Sequence, residues 1–406
     1  NFGMIQQNPY NAVTTYNSDG TVKSSNPTLD KFKGGLVTDP NQIRDLLGAP
    51  ATITPEQGTV AKTIGGVDRD FKMPQVWKTS VAVDYQVPVS FPLTLTAEFI
   101  YTKKINDVML DNYNIKNNTS EWEHLNGADN RLIYPKDFTY YSNINDACVL
   151  TNTHKGHGYT FNITATAEPI KNLNVMAAYT HTVMKEISGM PGSNASSAWS
   201  GLYTVNGPNF PTLQNSAYVI PDRLIASVSY KYAKEHFSLF YTGYSPAGYS
   251  FFYNGDVNGD GIKNDLMYIP KDDSEIQFAS DADRQAFWQF VEQDKYLKNH
   301  KGEYAEAYGA RAPFVHRFDF RWAHDFDVKI GNTLNRLQLS VDIMNVGNLF
   351  NSKWGVAKNM GVCNNGQILK LNKIENNTPV FSMMKSNGEY PTKTRASNHN
   401  YDQCWQ

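Results

Sequence analysis

The sharpest chemistry in the sequence is a run of oxygen-bearing side chains, Asp256-Val-Asn-Gly-Asp-Gly-Ile-Lys-Asn-Asp265. Asp256, Asn258 and Asp260 stand at the first, third and fifth places of a calcium loop. Gly261 stands at the sixth, Ile262 at the seventh, where a backbone carbonyl serves, and Asn264 at the ninth. Hard oxygens at that spacing can wrap a hard cation, and the glycine permits the sharp turn. The twelfth place, where a bidentate Glu belongs, is Met267, and Asp265 is the candidate substitute. Calcium held over residues 256–267 is one expectation. The competing one is a cluster of Asx turns, in which the same oxygens accept bonds from the loop's own amides.

Other candidates are weaker. His154 and His157 precede a strand but have no neighbouring Cys or Asp cluster to complete a metal site. His316 and His324 share a parity and read as wall residues. Three aromatic stretches, Phe138–Tyr141, Trp199–Tyr203 and Tyr249–Tyr253, hold rings that would stack on a sugar or peptide. Tyr140, Tyr141, Trp199, Tyr203, Phe252 and Tyr253 are the candidate ligand-binding residues. The favoured alternative for them is the packing of long loops against each other. No GxSxG, HExxH, Walker or GxGxxG pattern occurs, so neither an enzyme nor a required cofactor is expected.

The elements that position these residues are read from periodicity. From Trp77 the chain alternates apolar and polar residues, and the pattern recurs near residues 93–102, 159–168, 173–180, 223–232, 237–243, 317–323 and 337–344. Such alternation marks strands with one apolar face. The clear runs last about 9–13 residues, beyond the usual strand of about 5–6 and close to the about 9–11 that cross a bilayer at a tilt. The runs pair through short links at Pro88–Pro92, Pro169–Asn172, Ala233–His236 and Gly331–Arg336. Long links, Lys104–Gly156, Glu186–Pro221 and Tyr249–Pro313, join one pair to the next. Short turns at one end with long loops at the other is the pattern of an outer-membrane barrel. Within the longest link, Asp281–Tyr296 reads as a helix capped by Ser280, with Phe287, Phe290 and Val291 on its apolar face.

Composition agrees. The 406 residues hold 37 Lys plus Arg against 39 Asp plus Glu, a balance that argues against a nucleic-acid partner. Only 19% are charged and 13% are aromatic, which excludes a disordered polyampholyte. No apolar run is long enough for a membrane-spanning helix. Mean hydropathy is −0.50, as polar as alternating barrel strands average out to be. Cys148, Cys363 and Cys404 have no CxxC spacing and make no zinc site. The charged residues of the wet face, among them Asp84, Glu98, Glu168, Arg223, Lys231, Arg317, Asp319, Arg321 and Asp342, are expected to line a lumen. Asn1 is no start-codon product, and Tyr401–Gln406 read as the beginning of a strand, so the chain is expected to be a piece of something larger.

The stretch Arg317-Phe-Asp-Phe-Arg-Trp322, followed by Leu337-Gln-Leu-Ser-Val-Asp-Ile-Met-Asn-Val-Gly-Asn-Leu-Phe-Asn-Ser-Lys-Trp354, resembles the late barrel strands of TonB-dependent outer-membrane receptors. The Asp256–Pro270 loop is similar to one in the Oar-like, carboxypeptidase-regulatory-domain-bearing receptors of Bacteroidota. The resemblance runs from about Pro74 to the end. It implies an all-β, antiparallel transmembrane β-barrel of about 22 strands around a plug, of which about ten are expected here, with residues 1–73 as an extracellular loop or entry segment and 74–406 as the C-terminal part of the barrel. It further implies energised uptake of a peptide, oligosaccharide or siderophore, with outer-membrane lipid, a periplasmic TonB energy-coupling protein and a surface lipoprotein as partners. A passive outer-membrane porin or adhesin is the first alternative. A soluble carbohydrate-binding β protein is the second.

Overall fold

The computed structural model describes residues 15–16, 22–24, 37–47, 62–246, 248–357, 366–385 and 388–391. Two units are present, Asn1–Ala61 and Lys62–Gln406. In the first, Thr15–Tyr16 pairs with Val22–Ser24 and a helix spans Pro40–Leu47. The second holds the long strands. In it Thr63–Val67 pairs in parallel with Asp146–Thr153.

Eight long strands form one antiparallel meander. They are β1 (Gln75–Gln86), β2 (Leu93–Asn112), β3 (His157–Ile170), β4 (Leu173–Glu186), β5 (Asp222–Tyr232), β6 (Glu235–Tyr244), β7 (Val315–Ile330) and β8 (Thr333–Ile343). Each pairs with its neighbour in sequence, from β1 through to β8. The shortest, β6, has 10 residues and the longest, β2, has 20. At about 3.3 Å per residue even β6 reaches about 33 Å, which a tilt of about 40° reduces to the about 25 Å height of a barrel's apolar band.

Three of the turns need only two residues: Lys171–Asn172, Ala233–Lys234 and Gly331–Asn332. Asn172, Ala233 and Gly331 each take a positive φ there. Positive φ reverses the chain without splaying the twisted strands, and Asn and Gly reach it at low cost. The opposite ends carry the long connections 113–156, 187–221 and 245–314.

Register explains why one face is apolar throughout. Val81 lies opposite Phe99, which lies opposite Phe161. Ala226 lies between Ala177 and Tyr241, and Leu239 lies between Val228 and Phe320. Trp322 faces Val341. A slip of one residue on any strand would turn its apolar set to the other side. These side chains are not covered by a second sheet: Val81 is 63% exposed, Leu239 41% and Leu337 59%. A soluble sandwich would bury that face. The other face is wet, with Thr96 bonding Asp84, Thr180 bonding Asn162, Ser229 bonding Ser238, and ion pairs Arg317–Asp319 and Arg321–Asp342. An exposed apolar face opposite a hydrogen-bonded polar one, on strands of this length, is part of an antiparallel transmembrane β-barrel.

The packed cores lie in the long connections. Leu369–Glu375 and Thr378–Met383 form a hairpin that joins Gln277–Phe278 rather than the wall. The helix α1 (Asp281–Gln293) starts at Ser280, whose hydroxyl oxygen accepts from the Asp283 amide, and it buries Phe287, Phe290 and Val291. It stops short of Tyr296. Asp294 breaks it and caps a second helix, Lys295–Asn299, by accepting from the Leu297 amide. Tyr401–Gln406, Cys363 and Cys404 lie outside the described residues. Cys148 is buried in its reduced form.

The two faces predict opposite responses to charge. Leu239→Arg should destabilise the protein by about 2–4 kcal/mol, the midplane cost of an arginine facing lipid. Ser238→Arg, one residue along and facing inward, should leave stability nearly unchanged. Urea-dependent folding into phospholipid vesicles measures both.

Candidate functional site

The long-loop layer is where side chains of functional type converge. Its larger core gathers Phe251, Tyr253, Val257, Met267, Ile269, Leu297, Ile368, Leu369 and Phe381 around the buried face of α1. A second core holds Leu110, Ile115, Trp122, Leu132, Tyr134 and Trp199. The Asp-rich loop lies between them: Val257 and Met267 enter the first core, and Ile262 packs on the second.

The loop is wired by its own carboxylates. Asp256 accepts from the amides of Gly259 (2.6 Å) and Gly261 (2.8 Å). Asn258 accepts from the Asp260 amide at 2.9 Å, and Asp260 from the Ile262 amide at 2.7 Å. Asp265 reaches back to the Val257 amide at 2.7 Å. The Asn264 side-chain amide donates to the Ser200 carbonyl at 2.9 Å, which ties the loop to its neighbour. Gly259 and Gly261 both take positive φ, which the tight winding needs. These are the bonds of an Asx-turn cluster. Met267, at the twelfth place, is fully buried. Among the described residues no three His, Cys, Asp or Glu side chains are grouped to hold a metal.

A fixed cation is already present. Arg131 is fully buried. Its Nε donates to Asp129 Oδ1 at 2.9 Å and one terminal nitrogen donates to the Leu266 carbonyl at 2.7 Å. The other terminal nitrogen, Nη1, lies 3.8 Å from Asp265 Oδ1. The guanidinium also sits over the rings of Tyr253 at 5.0 Å and Tyr304 at 5.6 Å. Arg131 thus joins the Asp-rich loop to Asp129, which also accepts from the Tyr253 and Tyr304 hydroxyls. Burial pushes the Asp265 carboxyl up to about 8, against the pull of Arg131. Burial, with repulsion from Asp256, pushes Asp260 up to about 7, against the bond from the Ile262 amide.

The aromatic candidates divide. Trp199, Phe252 and Tyr253 are buried. Tyr203 is half-buried between the Phe252 and Tyr308 rings. The Trp199 indole donates to Asn209 at 2.7 Å, and the Tyr253 ring stacks on Phe381 at 4.6 Å. These four pack within the loops. Tyr140 and Tyr141 are exposed, side by side, and open to a ligand. His154 bonds the Ile105 carbonyl, and His157 is exposed at the start of β3. His316 and His324 are on the wall, bonded to Tyr241 and Glu235.

Sequence reasoning missed Arg131. An arginine two residues from an aspartate, inside a polar loop, carries no spacing signal that separates it from a solvated pair. It also missed the pocket of about 250 Å³ beside Asp129, lined by Tyr253, Tyr268, Glu275 and Phe381.

No protein-family model matches the chain, and no curated protein matches it. Among solved structures the chain is similar to the outer membrane transporter YddB from Escherichia coli, with 11% identity and a TM-score of 0.38 over 79% of this chain and 33% of that one. The chain therefore spans about a third of that protein's length.

Two measurements test the loop. Arg131→Leu leaves Asp129 buried without its cation, so the loop layer should lose on the order of 3–5 kcal/mol, read as faster proteolysis within 245–314 while the wall stays intact. The second concerns pH. Asp260 and Asp265 titrate higher folded than the about 3.9 of an unfolded chain, so protonation favours the folded loop. That stabilisation is complete below the unfolded value and is lost as pH rises through about 7 and 8. Hydrogen exchange of the Val257 and Ile262 amides should quicken from about pH 5 to about pH 9 beyond the intrinsic rate, with Asp265→Asn flattening the upper part of the profile.

Proposed function

We propose that the chain forms wall and surface loops of an outer-membrane transporter of the TonB-dependent receptor type. In this reading the protein captures a large or scarce ligand at its long loops and draws it across the outer membrane. The observation that carries the proposal is the continuous exposed apolar face over β1–β8, backed by a face of hydroxyls, amides and paired charges. Lipid cannot bond backbone groups, so a closed ring of paired strands is the form of sheet it accepts. The polar face then borders an interior through which polar cargo can pass.

The loops favour a receptor over an open pore. Their two cores hold a shaped surface, and Tyr140 and Tyr141 offer exposed rings on it. Such a surface suits a peptide, oligosaccharide or siderophore. Energy would come from a periplasmic TonB protein acting on a plug within the wall, and a surface lipoprotein would assist capture. The Asp-rich loop's part here is to brace the capture surface. Its likeness to the loop of Oar-like receptors is the ground for placing the protein with that type.

Uptake by intact cells tests this. Cells expressing the full-length protein should accumulate a fluorescent peptide, an oligosaccharide or a ferric siderophore, and a protonophore should stop accumulation while surface binding persists. Uptake that continues with the protonophore would assign a passive porin. Recovery of the protein in the soluble fraction without detergent would end both readings.

A further inference from the structure

Where β7 begins, the outward face does not continue as a flat belt. Pro313, Phe314, His316 and Phe318 form one side of a groove of about 370 Å³. Gly347, Trp354 and Val356 form the other. The second wall is built by the segment after β8. Asn345 takes a left-handed φ of 53° and its side-chain amide donates to the Trp354 carbonyl at 3.0 Å. Its backbone amide donates to Asp319 at 2.7 Å, which pins the segment to β7. A Cβ on Gly347 would meet the Trp354 ring at 3.4 Å, so the missing side chain lets the indole lie close.

The groove opens on the outward side. His316 and Phe318 share the parity of Phe320 and Trp322, and His316 lies opposite Gly243 on β6. Phe314 leans over Gly243, whose added Cβ would come within 2.7 Å of the Phe314 ring. The groove is thus continuous with the apolar face of β5–β8, at its long-loop end. Phe314 and Phe318 are each 38% exposed and Trp354 is 54% exposed. Its volume falls in the range of small-molecule sites, about 300–1,000 Å³.

We propose that this groove seats one acyl chain of a membrane lipid, held against Phe314, Phe318, Trp354 and Val356. The inference rests on the membrane placement of the wall. Continuity with the belt selects the occupant. A chain that lies along β7 at the long-loop end meets a recess lined by rings, and filling it removes apolar surface from water and lipid headgroups alike. A recess of this size, walled by rings on both sides, distinguishes an ordered acyl chain from the mobile ones around it. Tyr241, bonded to His316 at 2.7 Å, supplies the polar margin that an interface residue needs.

The test uses the full-length protein in phosphatidylcholine vesicles whose acyl chains carry bromine, a quencher that acts on contact. Difference spectra against Trp354→Phe isolate Trp354, and those against Trp77→Phe and Trp322→Phe report the belt. Quenching of Trp354 comparable to that of Trp322, and lost in Val356→Glu while Trp322 stays quenched, is the expected result. If Trp77 and Trp322 are quenched but Trp354 is not, the groove holds no acyl chain and this inference falls while the wall's placement stands. If none of the three is quenched, the placement falls and takes the inference with it. Equal quenching of Trp354 in Val356→Glu would overturn the groove as the seat, since contact would then come from bulk lipid.

Discussion

The structure depends on one constraint: every peptide group in the wall must find its partner on the next strand, because the medium outside offers none. That demand fixes length, register and order together. Strands long enough to cross must pair along their whole crossing. Pairing along the whole crossing locks a register, and the register decides which side chains face out. Val81, Phe99 and Phe161 line up across three strands for this reason. Exposed apolar residues, a liability in a soluble protein, are here the surface that belongs in contact with its solvent.

The loop layer obeys the opposite rule. It meets water, so it must make a core of its own, and it does so around α1 and around Trp122 and Tyr134. Here burial creates the electrostatic problem. Asp129, Asp260 and Asp265 are all at least nine-tenths buried, and one guanidinium with a few backbone amides meets them. Arg131 suits this because its planar fork bonds a carboxylate and a carbonyl at once while its face rests on rings.

Much of the wall was legible in the sequence because a period of two is a local signal. The alternating runs from Trp77 and from Leu337 lie within β1 and at the end of β8, and the turns were found within a few residues. The site was less legible. Spacing marked Asp256, Asn258 and Asp260, yet spacing does not tell whether their oxygens aim at an ion or at the amides of Gly259, Asp260 and Ile262. Trp199, Phe252 and Tyr253 sit in ring-rich stretches, and only the contacts made by distant chain, such as Tyr253 with Phe381, separate a brace from a binding ring. Arg131 and its partners span residues 129 to 304, a distance over which one sequence carries no pattern.

The two-residue turns have a corollary for how the molecule is made. Lys171–Asn172, Ala233–Lys234 and Gly331–Asn332 present almost nothing to be dragged through oil, whereas the opposite connections are bulky and hold packed helices and carboxylates. The two ends are unequal burdens for a bilayer: the tips ask almost nothing of it, while a cap carrying buried carboxylates needs a path that shields them from hydrocarbon wherever it is carried across.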